Sequence, residues 1–355
     1  MEPFEQVDHL VRQGLEQGAY PSAALAVGIG NTVYLKKTYG ECSENTLFDM
    51  ASVSKILGPT MLAFRFLEDG LFRLYDTVEI FFPDAPADKK DITILQLMTH
   101  TGGFPAHFLL SQYAASPEDA ARAILEYPLE QAPGGDPIYS CMGYILLGKI
   151  LEQIGGAPLD RLVQQYVFGP LNMAHTGYHP SGDCAPTELD AATGKLLQGI
   201  VHDENARFLG GISANAGVFS DLNDMITFTK MLACGGKTDD GAAYLSPAML
   251  RAALVNRTPD SKGEYRGLGF NLAGSPKNFL ADLMSPRAFG HTGFTGTSIA
   301  IDPETGLWVV LLTNRVCPTR NNIRMIRLRS LVHNAAAAEA SRLVSGLHKD
   351  AGVLL

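Results

Sequence analysis

The stretch from Phe48 to Thr60, FDMASVSKILGPT, sets two serines and one lysine in an otherwise apolar run. Read as the opening of one helix from Ser52 to Gly70, it puts Ser52 and Lys55, three residues apart, on a common face. Ser54, two residues from Ser52, points elsewhere. A serine hydroxyl attacks a carbonyl at neutral pH only when a base takes its proton. Lys55 can be that base if burial and neighbouring cations lower its pKa, and the positive end of the helix favours negative charge developing there. Taken alone, Ser-x-x-Lys reads first as an N-cap serine with a solvated lysine, a pattern that chance supplies in many chains. Pro59 has no N–H to donate and its ring opposes the carbonyl of Lys55, so a kink is expected just beyond the lysine.

Outward from this stretch, both ends of the chain read as strand. AALAVGIGNTVYLKKTYG is two strands joined at Gly30-Asn31, a pair suited to the positive φ of a tight hairpin turn. GTSIAIDPETGLWVVLLTNR repeats the design, with Asp302-Pro303-Glu304-Thr305-Gly306 as its turn. Phe4, Val7, Val11 and Leu15 recur at helical spacing, and the alanine-rich NAAAAEASRLVSGL reads as a last helix. From about Tyr75 to Gly199 the signals are mostly helical: SPEDAARAILEY opens with cap chemistry, and YILLGKILEQIGG carries Leu146, Ile150 and Ile154 on one face before a glycine stop. A sheet built from both termini and faced by the first and last helices is expected, with a helical lobe between; sites form between such lobes.

A chain of 355 residues with 46% apolar content supports one large or two closely packed domains. A net charge of −9, with no basic stripe, excludes a nucleic-acid-binding surface. The five cysteines, Cys42, Cys141, Cys184, Cys234 and Cys317, are scattered, encode neither a disulfide framework nor a zinc site, and fit a reducing compartment. No basic-then-apolar leader opens the chain and no run approaches a membrane span, so a cytoplasmic location is expected.

The Ser-x-x-Lys pair has company in GGDPIYSCMGYILLG and FGHTGFTGTSIAID. With these, the sequence resembles the serine β-lactamase and penicillin-recognising hydrolase family, in its branch of class C β-lactamases, D-peptidases and related esterases, for which Ser-x-x-Lys is a known signature. ITILQLMTHTGGFP, VHDENARFLGGISANAGVFS and LLTNRVCPTR also look like family segments, so the resemblance spans nearly the whole chain. It implies a β-lactamase/transpeptidase-like α/β (α+β) fold: residues 1–75 with 200–355 as a sandwich of antiparallel sheet and terminal helices, 76–199 as a helical lobe, and the active site between. It also implies that Ser52 is the nucleophile, Lys55 its proton-shuttling partner, and Tyr139 the tyrosine of a Tyr-x-Asn motif, able as a phenolate to deprotonate Ser52 and later activate water. His291, Thr292 and Gly293 match the Lys-Thr-Gly strand, where glycine lets a substrate backbone lie close. The backbone N–H groups of Ser52 and Phe294 would form the oxyanion hole.

The pattern breaks at Cys141, which stands where the family has asparagine. A thiol is a weak hydrogen-bonding group, so recognition of amides, and with it β-lactam turnover, is disfavoured; the cysteine itself reads as inert packing near a helix start rather than as a reactive thiol. Arg320 lies near the family's receiver of a substrate carboxylate, with an ordinary surface arginine as the plainer reading. His202-Asp203-Glu204 suggests a metal cluster, but adjacent side chains diverge and no His-x-x-x-His accompanies them; His100 and His107 are separated by glycine and proline. No metal is therefore expected, and no cofactor: GIGNTV sits at a hairpin turn and lacks the third glycine of a dinucleotide loop. No Gly-x-Ser-x-Gly elbow is present, GISAN around Ser213 being a near miss.

The expected activity is serine hydrolysis of a small ester, amide or β-lactam through an acyl-enzyme, with carboxylesterase slightly ahead of β-lactamase and D-amino-acid peptidase. The rival from another class is a ligand sensor or binding module on the same fold that acylates once or only binds.

Overall fold

The structure, a computed structural model, describes residues 3–275 and 279–350. The chain begins with α1 (Glu5–Glu16), which buries Val7 and Val11, and the hairpin of β1 (Ser22–Ile29) and β2 (Thr32–Gly40) follows. Its two-residue turn has Gly30 at φ 55°, the left-handed backbone that glycine adopts without a Cβ clash. The remaining strands are β3 (Phe48–Asp49), β4 (Phe219–Ser220), β5 (Tyr265–Arg266), β6 (Asn271–Leu272), β7 (Phe289–Thr292), β8 (Ser298–Asp302) and β9 (Leu307–Thr313).

Seven of these strands form one antiparallel sheet in the order β2-β1-β9-β8-β7-β6-β5, so the N-terminal hairpin pairs directly with the last strand of the chain. Because side chains alternate along a strand, β1 and β9 feed two cores. Leu25, Val27, Val309 and Leu311 meet α1 and the long C-terminal helix on one face. Ala24, Ala26, Trp308, Val310 and Leu312 join the large core of the helical region on the other. Both faces are covered, which is why these strands read as continuous apolar runs. Gly28 is required here: a Cβ would stand 2.1 Å from the Trp308 ring.

On the face of the helical region lie α2 (Met61–Glu68), α3 (Cys141–Gly155) and α5 (Leu222–Ala233), with the short α4 (Glu204–Phe208) near the site, while α6 (Arg324–Asp350) packs with α1 on the other face. The expected glycine stop of α3 is Gly156, at φ 67°. Two expectations are corrected. Ser52–Gly70 is not one regular helix: a tight turn at Ala51–Val53 leads into a wide, π-type stretch over Ile56–Thr60, and the α-helix proper begins at Met61. The wide turn absorbs Pro59, which cannot donate to the ladder. The helical region also ends early, since no helix or strand lies between 169 and 203, where Gly, Pro and Asp recur (GPLNMAHTGYHPSGDCAP). No helix among the described residues is long and apolar enough to cross a membrane.

Candidate active site

Strand β3 delivers the Ser52 turn. Its Asp49 is buried, and one carboxylate oxygen accepts the Ala51 N–H (2.8 Å) while the other accepts the His202 N–H (2.6 Å). Ala51 takes a positive φ of 45°, a strained value for a residue with a Cβ, and the chain turns into helix at Ser52. The same segment is tied to the loop after β7: Thr295 donates its hydroxyl to the Asp49 carbonyl (2.7 Å) and Thr297 to that of Met50 (3.0 Å). At Gly293 the approach is so close that a Cβ would stand 2.6 Å from the Met50 carbonyl oxygen. Gly293 thus lets the Phe294 backbone come up beside the Ser52 turn. Burial pushes the Asp49 carboxyl up.

Lys55 is completely buried, yet among the described residues its ammonium has no carboxylate partner. It donates to Ser52 Oγ (3.2 Å), to the Asn215 carbonyl (2.9 Å) and to Cys141 Sγ (3.7 Å). Ser54 is separated from this group, its Oγ accepting the Val218 N–H (3.1 Å). Tyr139, just before α3, turns its ring toward the lysine, with Nζ 4.9 Å from the ring centre, and its hydroxyl is buried. His100 packs on the same ring at 4.4 Å and His291 at 6.0 Å. The structure therefore brings Ser52, Lys55, Tyr139, Cys141, His291, Thr292, Gly293 and Phe294 together from three separate segments.

The whole chain follows a known pattern as well. Residues 7–334 match the Beta-lactamase family model. A protein of Escherichia coli (strain K12) named "Putative D-alanyl-D-alanine carboxypeptidase" is 30% identical over 366 aligned residues, covering 89% of this chain and 83% of the relative. The chain belongs to the β-lactamase family. Its fold is that of EstCE1, a hydrolase with promiscuous acyltransferase activity (TM-score 0.74, 21% identity, 94% of this chain and 98% of that one). It is also that of simvastatin synthase LovD from Aspergillus terreus (TM-score 0.74, 20% identity, 96% and 99%).

As a β-lactamase-family serine hydrolase the chain has three distinctive features. The first is the charge of Lys55. Burial alone would push its ammonium towards neutrality, but Cys141, Tyr139 and Asp203 outweigh it and the net shift is upward. That direction runs against a Lys55 that loses its proton to act as the base and favours one that stays an ammonium. The second is Cys141, the first residue of α3. Burial raises its pKa, but Lys55, His107 and Asn215 prevail and the thiol is more acidic than usual. These surroundings point to a polarised thiol rather than inert packing, and the lysine and histidine that lower its pKa come from residues far away in sequence.

The third concerns His291 and Arg266. His291 occupies the Lys position of Lys-Thr-Gly but is buried, hydrogen-bonds the Thr292 carbonyl through Nδ1 (2.9 Å), and is pushed well below its usual pKa by burial, Arg266 and Lys55. It carries no charge at neutral pH. The cation on that side is Arg266, from β5, whose guanidinium sits 5.0 Å over the Tyr139 ring and is held by Glu264 and Asn271. Sequence reasoning missed Arg266 and Asp49; a lone arginine before Gly-x-Gly and an aspartate in a two-residue strand carry no spacing signal. His100 is likewise buried and neutral, its Nδ1 accepting the Ser140 N–H (3.0 Å).

Arg320 is engaged by two carboxylates. Its guanidinium donates to Glu188 (2.6 Å) and Glu204 (2.7 Å), and Glu188 also meets His202 (3.0 Å). Two carboxylates already neutralise it. This brace stands behind Phe294, whose ring stacks on His202 (5.6 Å) and under Arg315 (4.7 Å). His202, Asp203 and Glu204 diverge as adjacent residues should: His202 turns to Glu188, Glu204 to Arg320, and Asp203 caps α4 through the Ala206 N–H (2.8 Å). Ligand atoms of Asp203, His107 and Cys141 nevertheless lie within 4.8 Å of one another, as do those of His175, Asp221 and Asp224. In the latter set the carboxylates are spent on the α5 cap, on Thr176 and on His175 itself.

Proposed function

We propose that the protein cleaves small carboxylic esters through an acyl-enzyme on Ser52. The observation that carries this reading is the contact of Ser52 Oγ with a buried, carboxylate-free lysine (3.2 Å). Tyr139, as phenolate, takes the serine proton while two cations, Lys55 and Arg266, face its ring and stabilise the charge. Ser52 Oγ attacks the carbonyl, and the oxyanion rests on the backbone N–H groups of Ser52 and Phe294. The leaving alkoxide takes the proton back through Tyr139, and a water activated by the same group releases the acid. Thr292 and Gly293 offer a strand edge beside which the substrate lies.

Esters are favoured over amides because Cys141 offers a thiol where an amide side chain would hold a substrate N–H and carbonyl. The occupied Arg320 further disfavours substrates anchored by a terminal carboxylate. The second reading, a D-amino-acid peptidase, is favoured by the name of the Escherichia coli relative. A β-lactamase ranks third, and a non-turning-over sensor on the same fold fourth.

Intact-mass analysis after treatment with a fluorophosphonate, on the wild type and on Ser52→Ala, tests the nucleophile: one adduct is expected, absent in the variant. Rates on short p-nitrophenyl esters, nitrocefin and a D-alanyl-D-alanine peptide then rank the substrates. Faster turnover of either amide class would overturn the ester assignment, and an acyl adduct persisting for hours would favour the sensor.

A further inference from the structure

The substitution that removes the amide from the cleft also assembles a different donor set. Cys141 comes from the first turn of α3, His107 from a loop separated from it by the helix Ala120–Glu126, and Asp203 from the cap of α4. One ligand atom of each lies within 4.8 Å of the others. Around a zinc ion with bonds of about 2.0–2.3 Å, neighbouring ligands stand about 3.5 Å apart, so small side-chain movements close the set. Asp203 spends one carboxylate oxygen on the Ala206 N–H and keeps the other. The buried Asn215 side chain lowers the pKa of the Cys141 thiol by hydrogen bonding to it, which favours the thiolate that a metal requires.

We propose that His107, Cys141 and Asp203 form a site for a borderline-soft divalent cation of the zinc class at the mouth of the Ser52 cleft, whose occupation reversibly suppresses acylation. Thiolate, imidazole and carboxylate together select zinc or cobalt over magnesium and calcium, which prefer all-oxygen shells. Three protein ligands leave a fourth position open to water. Lys55 does not prevent binding, because a metal-bound thiolate still accepts an N–H donor and the two anionic ligands offset the ion's charge. Cys141 and Ser52 share the Lys55 ammonium, so an ion on the sulfur stands in the approach to Oγ and adds positive charge beside the base network. This inhibitory half rests on the acyl-transfer reading of Ser52; the binding half does not.

The test uses full-length, EDTA-treated protein titrated with Co²⁺ and then Zn²⁺. Expected are one equivalent of cobalt with a thiolate-to-cobalt charge-transfer band, displacement by zinc, and a fluorophosphonate labelling rate at least about 10-fold lower with zinc, restored by EDTA. Cys141→Ser should abolish the band. His107→Ala, which keeps the thiol and serves if the cysteine variant fails to fold, should weaken cobalt binding by about 10- to 100-fold. No band in the wild type at millimolar cobalt, or unchanged affinity in folded His107→Ala, would overturn the site. Binding with an unchanged labelling rate would overturn the inhibition. If metal-free protein is not labelled at all, the serine-hydrolase assignment fails, and the band and its loss in the variants still decide the site.

Discussion

Two cations near the cleft are built in opposite ways. Arg320 is partly exposed and meets two carboxylates at 2.6 and 2.7 Å, whereas Lys55 is completely buried and meets a hydroxyl, a carbonyl and a thiol. A cation already satisfied by carboxylates braces structure. One that is desolvated without a carboxylate keeps its field for whatever charge develops next to it, and the protein bears the desolvation cost. The contrast predicts that removing each cation moves activity and stability in different proportions.

Lys55→Met should show the largest effect. Its shape is nearly kept and its charge lost, so ester hydrolysis should fall by about 10³-fold, within the range for loss of a group in the proton-transfer machinery. Thermal unfolding should occur at the same or a higher temperature, because a desolvated charge is replaced by an apolar side chain of similar volume. Steady-state rates and a melting curve on one preparation suffice. Substantial activity in the variant would remove the distinction between the two cations.

Arg266→Met should come next. Its guanidinium faces the Tyr139 ring and neighbours the Lys-Thr-Gly position, where His291 is neutral. Losing this second cation should lower kcat about 10-fold with KM little changed, and should move the acidic limb of the kcat–pH profile, which reports the base and which a purely structural role would not move. Arg266→Lys should recover part of the rate. An unchanged pH profile in a folded Arg266→Met would assign all of the field to Lys55.

These two residues also mark how far the sequence could be read. Ser52 and Lys55 were legible because helical spacing alone puts positions three apart on one face. The hairpins were legible because their turns are two to four residues long and carry their own chemistry at Gly30-Asn31 and at Pro303–Gly306. Tyr139 was reached only through family resemblance, since a tyrosine before a helix is ordinary. The surroundings of Cys141 were not legible: His107, Asp203 and Asn215 converge from distant segments, and no local period records that. Nor was the exhaustion of Arg320, which depends on Glu188 and Glu204, more than 100 residues upstream.

A third buried base, far from the cleft, tests whether missing a carboxylate partner has consequences without chemistry. His333 in α6 is fully buried with Nδ1 on the Phe279 carbonyl (3.1 Å), and burial lowers its pKa to about 4. The unfolded chain binds this proton near pH 6.5, the native protein only near pH 4. Stability is therefore full above about pH 6.5 and declines as pH falls towards 4, by about 3 kcal/mol for this group. Buried His100 and His291 add in the same direction. Denaturant unfolding at several pH values should show the decline, and His333→Asn, which keeps a donor near Nδ1, should flatten it by about one proton. An equal slope in the variant would mean that His333 already titrates normally in the folded chain.

The smallest expected effect on rate is that of Arg320→Ala. If the guanidinium only ties Glu188 to Glu204, kcat/KM for a neutral ester should stay within about 2-fold, and stability should fall by less than about 1 kcal/mol because the group is substantially exposed and screened by salt. The brace backs His202, and His202 stacks on Phe294, so a small rate change should appear as reduced kcat, through a looser oxyanion loop, rather than as raised KM. An ester whose acid carries a free carboxylate makes the experiment decisive. Should that substrate alone lose 10-fold or more in kcat/KM, Arg320 would be releasing its glutamates to receive it, and the difference between the two cations would be one of timing rather than of kind.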